Sequence, residues 1–119
     1  MKENIIKDKS FDFAIRIVKL YQYLCADKKE FVLSKQLLRS GTSIGAMIRE
    51  AEHAESKQDF IHKFAIAQKE ANEVVYWLEL LKATDYLNAK EFENINNDAI
   101  AILKLITSII KTTKATIHN

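Results

Sequence analysis

No proline interrupts the chain, and its only two glycines, Gly41 and Gly45, stand four residues apart inside RSGTSIGAMIREAEHAE (39–55), which otherwise reads as one long helix. Apolar residues recur at helical spacing almost throughout, and turn signals fall at three places, near residues 26–30, 55–57 and 84–89. The pattern predicts an all-α chain of four helices, over about 11–26, 31–55, 57–83 and 90–115. Ser10 is placed to cap the first. Ser56 followed by Asp59 gives the third a capping-box-like S-x-x-D opening, and Asp85 or Asn88 punctuates the last connection. A helix of 25 residues is about 38 Å long. Four of that size joined by short connections fold as an antiparallel up-down-up-down four-helix bundle, one domain over residues 1–119.

With 119 residues the chain can bury one core but not two. It is 48% hydrophobic and 29% charged, the balance of a soluble globular protein. The formal net charge of +2 permits nucleic-acid contact through a local patch without demanding it. The lone Cys25 rules out an intrachain disulfide, fits a reducing compartment and, among apolar neighbours, reads as a buried structural thiol. The opening MKENIIKDKS has no apolar segment of the secretory kind, and AIAILKLITSII is too short to span a membrane and is broken by Lys104. The expectation is a cytoplasmic protein with no membrane partner.

Projection at about 100° per residue assigns the faces. The first helix buries Phe13, Ile17, Leu20, Tyr21 and Leu24, and the last buries Ile95, Ala99, Ile102, Leu103, Ile106, Ile109 and Ile110. The third has a core stripe of Phe60, Phe64, Ala67, Ala71, Val74 and Leu78, plus a second apolar set of Ile66, Trp77 and Leu80 with Tyr76 beside it. A helix apolar on two faces is usually covered on two sides. Two readings stand here: a broad core edge with one half-exposed tryptophan, or a subunit interface.

Gly41 and Gly45 stack one turn apart at the edge of the second helix's core stripe of Leu33, Leu37, Ile44, Met47, Ile48 and Ala51. Each glycine costs about 1 kcal/mol relative to alanine in a helix interior, so the pair should serve a purpose. GTSIGA lacks the spacing of a phosphate-binding loop and follows no strand. A helix break restarting at Ser43 would want an acid or amide at Ala46, and has none. Close helix packing is the remaining reading, with the glycine edge a further candidate for a subunit contact.

Chemistry is sparsely indicated. Glu50–x–x–His53 and Asp59–x–x–His62 have di-metal spacing, but they flank a connection at one end of the bundle, with Glu50 and His53 on the solvent side. No nucleophile–base pairing is suggested by spacing. The expectation is a protein without catalytic residues, metal or cofactor. More suggestive is an outward stripe on the second helix, Lys35, Arg39, Thr42, Ala46, Arg49 and His53. Cations at that spacing can track phosphates, with Arg16, Lys19, Lys63 and Lys69 as further candidates. Any soluble helix has a charged face, however, and Glu50 and Glu52 dilute this one. A scaffold that binds another protein, with the charges only solubilising, is the alternative.

QLLRSGTSIGAMIREA (36–51) and ESKQDFIHKFAIAQKEANEVVYWLELL (55–81), with the preceding FAIRIVKLY (13–21), resemble the 23S rRNA-intervening sequence protein family of four-helix-bundle proteins. Arg39, Ser43, Ile44, Ile48, Glu50, Asp59, Phe60, Glu70, Trp77 and Glu79 match its pattern. Met47 stands where the family usually has Asn, and Ala51 where many members have Gly, so no polar role passes to position 47. The resemblance implies a bacterial protein, a left-handed antiparallel bundle and a ring-shaped homopentamer. It also implies kinship with accessory proteins of diversity-generating retroelements, which bind nucleic acid through a basic pentameric surface. A pentamer would favour the interface reading for Ile66, Tyr76, Trp77 and Leu80, and for Gly41 and Gly45.

Overall fold

A computed structural model describes residues 2–117 as four helices, α1 (Lys2–Ala26), α2 (Leu33–Ala51), α3 (Lys57–Ala83) and α4 (Ala89–Ile117). They form an antiparallel up-down-up-down bundle of 51 × 22 × 20 Å. Each helix packs on its chain neighbours and α1 closes the ring on α4, so α1 and α3 occupy opposite corners, as do α2 and α4. The α1–α4 seam is the most loosely packed of the four.

α3 occupies the predicted residues because its start is encoded locally. Ser56 Oγ accepts from the Asp59 N–H at 3.0 Å, and Asp59 Oδ2 accepts from the Glu55 N–H at 3.2 Å. α4 opens on a full capping box. Asn88 Oδ1 accepts from the Glu91 N–H at 2.8 Å, while Glu91 Oε1 accepts from the Asn88 N–H at 2.9 Å. Asp85 also punctuates that turn, at a left-handed φ of 69° that Asp tolerates better than most residues.

The first helix differs from expectation. It starts at Lys2 and not near residue 11, and Ser10 is no cap. Ser10 lies inside the helix, 1% exposed, and its hydroxyl donates to the Lys7 carbonyl at 3.1 Å. Fully buried Ile6 continues the core stripe of Phe13, Ile17 and Leu24 one turn before Ser10. A small residue is required at position 10 because α2 approaches closely there, as described below.

The second helix is shorter than the expected 31–55, and its start is set by a residue the sequence reading passed over. The Glu30 carboxylate, only 7% exposed, accepts from the backbone N–H groups of Val32, Leu33 and Ser34 at 3.1, 3.0 and 2.6 Å. These are donors that a helix start leaves without partners, and an anion there is favoured by the helix dipole. Burial alone would raise the Glu30 carboxyl, but those N–H groups and the Ser34 side chain outweigh it and hold it below its ordinary range. Ser34 Oγ in turn donates to the Glu30 carbonyl at 2.7 Å.

Both glycines lie within the continuous α2, and neither has positive φ, which removes the break and the phosphate-loop readings. An ideal Cβ on Gly41 would lie 2.8 Å from Cγ1 and Cγ2 of Ile17 and 3.1 Å from its Cβ. One on Gly45 would lie 3.5 Å from Ser10 Oγ. The glycine edge therefore forms the α1–α2 seam of a single chain. Gly41 is buried against Ile17 of α1, so its open side is filled from within the chain, while Gly45 is half-buried beside Ser10. Met47 is half-buried against the core, in keeping with an apolar residue in place of the family's Asn. Cys25 is half-buried, less than expected, with its sulfur 3.8 Å from Ser34 Oγ.

Candidate nucleic-acid interface

The outward stripe of α2 is present as a surface. Lys35, Arg39, Ala46, Arg49 and His53 are exposed, and Thr42 is half-buried with its hydroxyl turned back to the Leu38 carbonyl at 2.8 Å. From Lys35 to Arg49 the stripe runs about 21 Å along the helix, and His53, expected on the same helix, lies in the turn two residues past its end. Glu50 and Glu52, which dilute the stripe in the sequence, each have a cation from another helix. Lys63 of α3 lies 3.3 Å from Glu50, and Lys7 of α1 lies 2.9 Å from Glu52. The pairing with Lys7 draws the Glu52 carboxyl below its ordinary value. Arg49 lies over the ring of Phe11, 5.2 Å from its centroid, a cation–π contact that fixes its stem against α1 and leaves it exposed.

The remaining cationic candidates do not join this stripe. Arg16 bridges α1 to α4, pairing with Asp98 and donating to Asn94 Oδ1 at 2.7 Å, so it closes the loose seam instead of facing a ligand. Lys63 is taken up by Glu50. Lys19 is exposed on α1, and Lys69 is exposed on α3 beside the Glu70–Glu73 pair. Burial, then repulsion from Glu73, pushes the Glu70 carboxyl above its ordinary range, against the pull of Ser43 and Lys69. Lys35, Arg39 and Arg49 are therefore the cations that share the α2 face.

The second apolar set of α3 is only partly covered by its own chain. Ile66, Trp77 and Leu80 are half-buried and Tyr76 is 56% exposed, its ring edge-on to Trp77 at 5.0 Å between centroids. Trp77 packs in part on the core, as the reading of a broad core edge with a half-exposed tryptophan expects. A further apolar stripe was missed in the sequence. Phe11, Ile15 and Val18 are 51%, 42% and 38% exposed along the outer side of α1, opposite its core face. Their i, i+4, i+7 spacing was visible, but only the stronger apolar face of that helix was projected.

The two histidine motifs do not converge. Asp59 is occupied in capping α3, Glu50 is paired with Lys63, and His53 and His62 are exposed. Among the described residues no group of three His, Cys, Asp or Glu side chains is placed to hold a metal ion. No described helix is long and apolar enough to cross a membrane.

A comparison with curated proteins finds no match. Among solved structures, the chain is similar to a protein of unknown function from the S23 ribosomal protein family of Bacteroides thetaiotaomicron VPI-5482. That protein is 62% identical over 93% of this chain and 99% of its own, with a TM-score of 0.92. The family model described as 23S rRNA-intervening sequence protein matches residues 2–108. A match over nearly the whole bundle, together with a relative this close, shows that the chain belongs to the 23S rRNA-intervening sequence protein family.

Proposed function

We propose that this protein is a non-enzymatic helical bundle that assembles with copies of itself, as the homopentamer the family resemblance implies, and binds RNA or DNA through phosphate contacts along α2. The observation that carries the nucleic-acid reading is the exposed series Lys35, Arg39 and Arg49 on one helix face, with the small Thr42 and Ala46 between them, where a backbone can approach. The pairing of Glu50 and Glu52 to lysines of other helices supports it, because it offsets the nearest negative charge. Binding of this kind is weak for one chain, little dependent on sequence and steep in salt. Several copies presenting the stripe on one surface multiply it.

The test is fluorescence anisotropy with labelled single- and double-stranded oligonucleotides, wild type beside K35E/R39E/R49E. Three phosphate contacts on a duplex predict a salt slope of about −2.7, a loss of about 40-fold in affinity for each chain engaged between 50 and 200 mM salt. Affinity unchanged across that range, or equal in the triple variant, rules the reading out. The exposed apolar stripe of α1 favours a second reading, a scaffold for another protein. A protein partner captured by the wild type, retained after nuclease treatment and lost from an α1-stripe variant would support that reading.

A further inference from the structure

The connection between α1 and α2 places its two apolar residues in solvent. Phe31 is 58% exposed and Val32 71%, the most exposed large apolar side chains among the described residues. The backbone on both sides of Phe31 is fixed. The Glu30 N–H donates to the Leu24 carbonyl at 3.0 Å, and the Glu30 carboxylate holds the N–H groups of Val32, Leu33 and Ser34. Lys29 takes a left-handed φ of 55°, which residues other than glycine rarely adopt. Phe31 is therefore an aromatic ring held out by anchored backbone, and little ordering cost falls on a ligand that meets it. It lies four residues before Lys35, a reach of at most about 14 Å. The ring thus stands at the head of the Lys35, Arg39 and Arg49 stripe.

We propose that Phe31 is a stacking platform for an unpaired base of a strand whose phosphates follow α2, so that the ligand of this surface is single-stranded RNA or DNA. The inference rests on the nucleic-acid reading above and names its ligand class. Every base has a π-face, so stacking on an aromatic ring tolerates any sequence, as phosphate contacts do. In a duplex those faces already stack on one another, and only an unpaired base offers one to Phe31. The charges near the ring admit a polyanion. Asp27, Lys28 and Lys29 are the exposed charges of the connection, and the Glu30 carboxylate is buried and taken up by backbone. The end of α3 and the turn after it add Glu79, Lys82 and Asp85, while Lys90 and Glu93 open α4 at the corner opposite α2. With Lys35 and Arg39, cations outnumber free carboxylates around the tip. A lipid surface would meet charges lying in one plane around the ring. Here they run in line away from it for about 21 Å along α2, as the phosphates of a strand do.

The test compares Phe31→Ala and Phe31→Trp with wild type by fluorescence anisotropy at low salt. The probes are a labelled single strand, the same strand in a duplex, and a single strand of abasic sites that keeps its phosphates. Phe31 lies outside the helices and is exposed, so the melting temperature of both variants should match wild type. Phe31→Ala should weaken single-strand binding by about 5- to 150-fold, leave duplex binding unchanged, and bind the abasic strand as wild type does. Phe31→Trp should bind the single strand at least as tightly as wild type. The charge variant K35E/R39E/R49E, by contrast, should lose single strand and duplex alike. Equal single-strand affinity in Phe31→Ala and wild type, or a loss shared with the duplex, overturns the stacking assignment and leaves the phosphate reading standing. Equal oligonucleotide affinity with weakened binding to anionic vesicles would assign the tip to a lipid surface instead. A changed mass of Phe31→Ala in light scattering would assign it to a contact between copies, and either result overturns the proposal. A wild type that binds no probe overturns both readings.

Discussion

The two glycines, alike in sequence, should respond with opposite sign to the same substitution. Alanine in place of a helical glycine gains about 1 kcal/mol of backbone propensity when the new methyl has room. At position 45 it has room: the nearest atom is Ser10 Oγ at 3.5 Å, an ordinary van der Waals contact. Gly45→Ala should therefore stabilise the bundle by up to about 1 kcal/mol. At position 41 the methyl would meet both γ-carbons of Ile17 at 2.8 Å. Ile17 is fully buried and β-branched, with its Cβ only 3.1 Å away, so rotation cannot clear the space and α1 must move off. Overpacking of this kind costs about 1–3 kcal/mol, which offsets or exceeds the propensity gain. The net for Gly41→Ala is a loss of up to about 2 kcal/mol. For a chain of this length 1 kcal/mol is about 4 °C in Tm. Urea denaturation and thermal melts of the two variants at one fixed protein concentration supply the assay. If Gly41→Ala proved as stable as Gly45→Ala, the close α1–α2 approach at Ile17 would be wrong.

Two further outcomes follow from the helix starts. Glu30 has a depressed folded carboxyl against an unfolded value of about 4.3, so its stabilisation is complete above that value and is lost as pH falls through the folded one. Glu30→Gln should cost about 0.5–2 kcal/mol at pH 7, and its gap to wild type should narrow as pH is taken from about 5 towards 2. Urea titrations that found the same gap at both ends would contradict the carboxylate cap. Asn88→Ala should cost about 1 kcal/mol by removing half of the α4 capping box, read as a shift of the urea midpoint with an unchanged slope. No shift would mean that the box contributes nothing to α4.

How far each helix was legible depends on where its boundary is encoded. α3 could be placed end to end because Ser56 and Asp59 are a cap within four residues of each other. α1 could not, since Ser10 has the side chain of a cap but the position of a core residue. Only Ile6, seven residues before Phe13, shows that the apolar repeat continues past it. The α2 start was missed because its cap is a buried glutamate instead of the usual Ser, Thr, Asp or Asn. The glycine pair was read correctly as close packing. Which helix approaches was not legible, because Ile17 is 24 residues away and no local pattern ties it to Gly41.

The charged surface was less legible than the core for a related reason. Apolar residues must be buried whatever their partner, so periodicity alone places them. A cation is a phosphate candidate only if no carboxylate has already claimed it, and that depends on residues far away in the chain. Arg16 and Arg49 look equivalent in sequence. Yet Arg16 is held by Asp98, 82 residues later, whereas Arg49 lies over the ring of Phe11, within reach of the Glu52 charge, and stays exposed. The same contact sets Arg49 where the basic stripe of α2 meets the exposed apolar stripe of α1, since it ends the one and edges the other. Self-assembly that covered the apolar stripe of α1 would draw Arg49 into the contact and leave Lys35 and Arg39 as the exposed cations of each copy. The salt slope of the assembled protein, measured beside that of Ile15→Asp, then separates the contributions. If the ring concentrates the stripe, blocking α1 should weaken nucleic-acid binding without removing a single basic residue. If affinity is unchanged when the assembly is broken, one chain is sufficient and the ring serves another purpose.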